Sequence, residues 1–300
     1  MKKLLTIFLT LVFIFTSSLF ISCAKEPDEY TSEAGYDIIV VAGQSNAVGN
    51  GKGESSYTFA NEGKIYELCG EYNAYVEGVG EEAKIVVNRI SRRYFIRLAK
   101  TDVGSAWNKY DNFALRFATE YLNNNLSPKR QILIVQTAVS GTGFAKEHWG
   151  VEEVLYERTC SMVRHALSLE GKNRVVAFLW HQGEHDTEAN PTFSFNERKD
   201  YYYDKLNQLV MSFRSEFGLI PFVCAGFTKQ FCEMWPTQSL AVYEAIEKVV
   251  SENRKSAFVI NTNDLLSNDE KVNDGDVYHF CKESQSILGL RYYQKWTDIK

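Results

Sequence analysis

From residue 36 onward, short apolar runs alternate with longer amphipathic stretches, and no other feature restricts the fold as much. The runs are Asp37–Ala42, Gln131–Ala138, Arg174–Trp180, Ile220–Ala225 and Ala257–Ile260, with a weaker one at Lys64–Leu68. They are rich in Val, Ile and Phe and too short for helices, as expected of strands buried on both faces. Between them, Asn112–Asn124, Val151–Leu169, Lys199–Phe217, Gln238–Asn253 and Glu283–Tyr293 carry helical spacing. Phe113, Phe117, Ala118, Tyr121 and Leu122, for instance, recur three to four apart and so share one helix face. Strands alternating with helices predict an α/β fold, with a central parallel sheet of about five strands and helices on both faces. Crossovers should be right-handed. The segment from Gly51 to Tyr110 has no such rhythm and is expected to hold insertions or irregular loops.

The first residues read differently. Lys2 and Lys3 precede an apolar stretch from Leu4 to Ile21, followed by Ser22 and Cys23. A charged start, a greasy middle and a small residue before the cut describe a secretory signal over 1–22. Phe20-Ile-Ser-Cys23 resembles the lipobox of bacterial lipoproteins, which implies lipidation of Cys23. Residues 23–35 then form a tether, and 36–300 the folded domain. The expectation is an exported bacterial lipoprotein, periplasmic or at the cell surface, held to the membrane by lipid alone.

The remaining stretch of about 265 residues suits a single α/β domain. With 45% hydrophobic and 24% charged residues it can bury a substantial core. A net charge of −5 without a basic patch argues against a nucleic-acid partner. Five cysteines follow Cys23, an odd number, so at least one is unpaired within a monomer. None shows the spacing of a zinc or redox site. Cys224 and Cys232 can pair; small buried hydrophobes are the simpler reading.

The chemistry gathers at strand ends. The first run feeds Gly43-Gln-Ser-Asn46, and the second feeds Ser140-Gly-Thr-Gly143. The third ends in His181-Gln-Gly-Glu-His-Asp186, and Asp274-Gly-Asp-Val-Tyr-His-Phe280 precedes the last helix. In a parallel sheet all carboxyl ends lie on one edge, where ligands bind, so these loops converge. A serine after a strand is commonly a helix N-cap. The joint placement of the four loops makes Ser45 a candidate nucleophile instead.

These four blocks, in this order, resemble those of the SGNH hydrolases. More narrowly they resemble the branch holding sialate O-acetylesterases and the acetylxylan esterases of carbohydrate esterase family six. The resemblance implies a three-layer α/β/α flavodoxin-like fold and a metal-free serine esterase, without cofactor, that deacetylates sugars. It makes Ser45 the nucleophile, His279 the general base and Asp276 the group orienting the imidazole. The oxyanion hole would comprise the N–H groups of Ser45 and Gly141 and the side-chain amide of Gln182. Glu184 is a second candidate for the acid, in place of Asp276 or beside it; local spacing to His279 favours Asp276. Asn46 reads as turn chemistry that fixes the loop.

Two other functions are compatible with parts of the sequence. His181-Gln-Gly-Glu-His185 matches the H-x-x-E-H zinc motif of one class of metallopeptidases, with His181, Glu184 and His185 at the metal. That chemistry needs a helix, and Gly183 in its middle disfavours one. A sugar-binding lipoprotein without turnover is the other; it would not need Ser45, Asp276 and His279 together. For an acetylated carbohydrate substrate, Trp107, Tyr110, Trp149 and Trp235 offer stacking faces, Trp149 first because it follows the Gly141 loop closely.

Overall fold

Alternate side chains of the strand Gly35–Gly43 (β1) enter two separate cores. Ile38, Val40 and Ala42 join one cluster, Ile39 and Val41 the other, and all five are fully buried. A strand's period of two thus gives the sheet two covered faces. The computed structural model describes residues 33–70, 74–77, 84–87, 94–101 and 112–300; the expected signal segment over 1–22, Cys23, Trp107 and Tyr110 lie outside them.

After β1 come a short helix Ser45–Val48 (α1) and the strands Ile65–Gly70 (β2), Ala74–Glu77 (β3), Lys84–Val87 (β4) and Tyr94–Leu98 (β5). Then follow Phe113–Asn124 (α2), Arg130–Gln136 (β6), Val154–Ser168 (α3), Arg174–His181 (β7), Glu184–Glu188 (α4) and Phe195–Phe217 (α5). The chain closes with Phe222–Ala225 (β8), Lys229–Met234 (α6), Pro236–Glu252 (α7), Ser256–Val259 (β9), Asn268–Val272 (α8) and Lys282–Ile299 (α9). The main sheet has seven strands in the order β5-β2-β6-β1-β7-β8-β9; β3 and β4 form a separate antiparallel pair. The pairs from β2 to β9 are parallel, and β5 lies antiparallel on β2.

The five strongest runs are β1, β6, β7, β8 and β9. Taken alone they stand in the order 2-1-3-4-5, the flavodoxin-like winding. β2 and β5 extend the sheet beyond β6, so it has seven strands, not about five, and is mixed. β5 comes from the stretch expected to be irregular. It is an edge strand with Phe95 and Leu98 exposed, and half-exposed edges do not produce the unbroken apolar runs by which buried strands are recognised.

One face of the sheet carries α2 and α9, locked by Phe113 stacked on Tyr292 (4.5 Å) and Phe117 edge-on to Trp296 (6.0 Å). The other carries α3, α5 and α7, with Leu155, Tyr202, Leu206, Val242 and Ile246 fully buried. Each such side chain contributes about 1.5–3 kcal/mol. At the amino end of β1 the buried Asp37 carboxylate accepts from Arg130 and Arg174 Nε, each at 2.7 Å, and from Tyr121 Oη at 2.7 Å. The five described cysteines after Cys23 are all free, Cys224 and Cys232 included.

Candidate active site

β1 reverses at Gly43, and the reversal requires glycine. Its φ is +124°, and an added Cβ would lie 2.0 Å from the carbonyl oxygen of His181 on the neighbouring β7. The Gln44 N–H bonds to that same oxygen at 2.9 Å, and the Val139 N–H to the Gly43 oxygen at 3.0 Å. The carboxyl ends of β6, β1 and β7 are thereby tied at the topological switch point, where ligand sites of such sheets form. Ser45 opens α1 directly above this tie, 7% exposed.

Gly141, on the loop after β6, has φ +70° and is exposed at the same edge. That loop is held from below. Asp186, at the far end of the His181–Asp186 block, accepts the N–H groups of Phe144 at 3.0 Å and Ala145 at 2.7 Å. It also accepts Gln182 Nε2 at 2.6 Å. Burial raises the Asp186 carboxyl to about 6 despite these donors. Sequence reasoning passed over Asp186; it stands two residues from Glu184 in the block already singled out.

The Gln182 amide departs from its expected place in the oxyanion hole. Its Nε2 faces three internal acceptors, namely Asp186 Oδ2, Gln44 Oε1 (3.1 Å) and the Thr142 carbonyl (3.2 Å), while Oε1 accepts from Tyr202 Oη. An amide nitrogen has two hydrogens, so none is left for a ligand. The buried Asp186 four residues along is the stronger competitor for them. Trp149 is corrected as well. It is 1% exposed, packs edge-on to Trp180 at 5.2 Å and donates Nε1 to Thr142 Oγ1 at 2.8 Å. It shores up the Gly141 loop and offers no face to a sugar. Closeness in sequence located it correctly, but its ring turns inward.

Asp276 and His279 occupy the loop between α8 and α9. His279 Nδ1 lies 2.8 Å from both Asp276 oxygens. Asn268 Nδ2 donates to Oδ2 at 2.9 Å, and Lys52 Nζ stands 3.5 Å from it. Burial alone would raise the Asp276 carboxyl; the bonds from His279 and Asn268 outweigh it and hold the group well below the usual carboxylate range. The loop is fixed by the Asn268 N–H on the His279 carbonyl (2.8 Å) and by the Asp269 N–H on that of Asp276 (3.0 Å). Among the described residues neither Ser45 Oγ nor His279 Nε2 has a hydrogen-bond partner. In free enzymes such bonds commonly tighten only when substrate binds.

Glu184 takes a place apart from the Asp276–His279 pair. It is 1% exposed, accepts Asn46 Nδ2 at Oε1 (2.7 Å), and makes no hydrogen bond to His279. Its Oε2 has no partner, and burial raises the carboxyl to about 7. His181 and His185 do not share a helix. His181 ends β7, packed among the rings of Phe113, Phe280 and Tyr292, and Gly183 at φ +143° separates it from the one-turn α4. The helical presentation that a zinc peptidase needs is therefore missing.

Comparison with known proteins follows the same direction. The model of the family described as "Carbohydrate esterase, sialic acid-specific acetylesterase" matches residues 35–298. A search of curated proteins gives no match. Among solved structures, NanS is 18% identical with a TM-score of 0.64, over 88% of this chain and 97% of that one. A protein from Arabidopsis thaliana is 18% identical with a TM-score of 0.57, over 88% and 98%. A carbohydrate acetylesterase from Xanthomonas citri is 12% identical with a TM-score of 0.52, over 88% and 56%. These likenesses are of fold. The family match spans the whole sheet and all four loops, and the chain belongs to the carbohydrate esterase family of sialic acid-specific acetylesterases.

Proposed function

We propose that this carbohydrate esterase removes O-acetyl groups through an acetyl-serine intermediate on Ser45. The observation that carries the reading is the Asp276–His279 pair, with Nδ1 2.8 Å from both carboxylate oxygens, on a loop hydrogen-bonded to the residue after Ser45. A carboxylate on Nδ1 leaves Nε2 as the basic nitrogen.

Ser45 Oγ attacks the acetyl carbonyl carbon as His279 Nε2 takes its proton. The negative charge gathers on the carbonyl oxygen, where the N–H groups of Ser45 and Gly141 donate. The bond from carbon to sugar oxygen then breaks, and His279 returns the proton to the leaving hydroxyl. Water attacks the acetyl-serine by the same route, releasing acetate and restoring Ser45. Asp276 stays ionised throughout and stabilises the imidazolium.

The substrate we assign is an acetylated carbohydrate, with O-acetylated sialic acid first on the strength of the family's description. Acetate release from acetylated sialic acid, acetylated xylan and p-nitrophenyl acetate tests it, with Ser45→Ala as control. The expected result is release from at least one glycan and none by the variant; release unaffected by Ser45→Ala would overturn the reading. From the Phe20–Cys23 pattern we also propose lipid anchoring at Cys23, tested by the mass of the mature N-terminal peptide and its loss in Cys23→Ser.

A further inference from the structure

Asn46 follows the proposed nucleophile and is wholly buried. Its side-chain amide is the meeting point of three segments of chain. Nδ2 donates to Glu184 Oε1 at 2.7 Å and to the Tyr278 carbonyl at 3.0 Å. Oδ1 accepts the Phe280 N–H at 3.1 Å and Gln285 Nε2 at 3.3 Å. A primary amide has two donor hydrogens and two acceptor lone pairs, so its capacity is filled. The two backbone partners flank His279. One side chain thus grips the peptide on either side of the base from the position next to Ser45.

We propose that Asn46 is the positioning residue of the site, setting the separation between Ser45 and His279, and that Glu184 acts through it. Glu184 supplies the acceptor that fixes which way the amide faces. Turned over, the amide would set its oxygen against Glu184 Oε1 and the Tyr278 carbonyl, and its NH2 against the Phe280 N–H and Gln285 Nε2, four mismatches at once. The inference rests on Ser45 and His279 being nucleophile and base.

It gives Glu184 a task that needs an oxygen acceptor and no negative charge. Gln at 184 can present its amide oxygen to Asn46; Ala cannot. Asp at 46 keeps the acceptor for Phe280 but loses both donors and sets an anion against two oxygens.

The test uses the full chain, with p-nitrophenyl acetate kinetics, thermal melting, and the rate at which a fluorophosphonate labels Ser45. Asn46→Ala and Asn46→Asp are expected to lower kcat about 100-fold with KM within about threefold, the loss typical of an ångström-scale misplacement. Labelling should slow in parallel. Glu184→Ala is expected to lower kcat about tenfold and Glu184→Gln to stay within about threefold of the parent. A folded Asn46→Ala with unchanged kcat and labelling, or a Glu184→Gln as damaging as Glu184→Ala, would overturn the proposal. Should the Asn46 variants show no melting transition, the Glu184 pair decides by the same criterion. Ser45→Ala separates the two levels: activity in it removes the nucleophile assignment, whereas an inert Ser45→Ala beside an unimpaired Asn46→Ala removes only the positioning role.

Discussion

His279 presents Nδ1 to both oxygens of Asp276 at the same 2.8 Å, and Asn268 completes the carboxylate's shell at 2.9 Å. The geometry suits an acceptor that holds one imidazole tautomer. Asp276→Asn substitutes an amide that can turn its NH2 toward Nδ1, which favours the wrong tautomer. kcat is expected to fall by about 10³-fold or more in protein that still folds. Stopped-flow or steady-state acetate release checks this; a loss below tenfold would return Glu184 to contention.

Stability should depend on pH through two buried acids and, with the opposite sign, through His148, His181 and His185, which desolvation lowers from the ordinary 6.5. Glu184 is raised to about 7 and Asp186 to about 6 by burial, from ordinary values of 4.5 and 3.8. Between those limits each acid is more protonated in the folded chain than in the unfolded one, so its own share of stability declines as pH rises through the window. Asp276 has the opposite sign: its contribution is present above the unfolded value and is lost only as pH falls through its depressed folded value, below that window. The share of Glu184 is read as a difference: from pH 4.5 to 7.5 the urea midpoint of the parent is expected to fall relative to that of Glu184→Gln, in which the histidine contribution is the same. Parallel curves would contradict the assignment.

Gln182 serves internal acceptors, so its loss should read as a structural defect. Gln182→Ala is expected to cost about 1–3 kcal/mol of stability by leaving Asp186 and Gln44 underbonded. Turnover of the folded variant should fall less than about tenfold, whereas loss of an oxyanion donor costs about 10²–10³-fold. Denaturant titration and kcat on the same preparation separate these outcomes.

Gly43→Ala meets the His181 carbonyl at 2.0 Å in a backbone region closed to alanine. A loss above about 3 kcal/mol, or no folded protein, is expected. Gly63→Ala is the control: φ is +80°, with nothing within 4 Å of the new Cβ. It should cost only the left-handed penalty of about 1–2 kcal/mol. Similar melting temperatures for the two would refute the close approach.

Trp149→Ala removes a core ring and is expected to destabilise the chain by about 3–5 kcal/mol. Trp149→Phe, which keeps most of the volume, should leave KM for acetylated glycans within about twofold of the parent. A large rise in KM with Phe would restore a stacking role.

The sequence makes legible what repeats or what sits at a strand end. Buried strands announce themselves as apolar runs, and the four loops holding Ser45, Gly141, Glu184 and the Asp276–His279 pair follow from parallel topology. Apolar spacing starts α5 at Lys199, yet the helix begins at Phe195 behind the Ser194 and Glu197 capping box, a signal that such spacing does not weigh. Asn46 joins residues 232 to 239 positions away through hydrogen bonds, and no local pattern encodes such partners. Topology puts Gln182 and Trp149 at the right edge, but the direction in which a side chain points depends on neighbours contributed by other segments.

The Asp37 cluster has a reach beyond its own end of the sheet. β1 starts at a carboxylate clamped by two guanidinium groups and ends at a glycine pressed against β7, so the strand is a strut fastened at both extremities. A slip of one residue would empty the clamp and exchange the side chains of β1 between the two cores. The height at which Ser45 emerges is therefore gauged in part from the opposite end of the strand. Arg130→Lys or Arg174→Lys, remote from any reacting atom, is expected to loosen that gauge and to surface as a fall in kcat in protein that still folds.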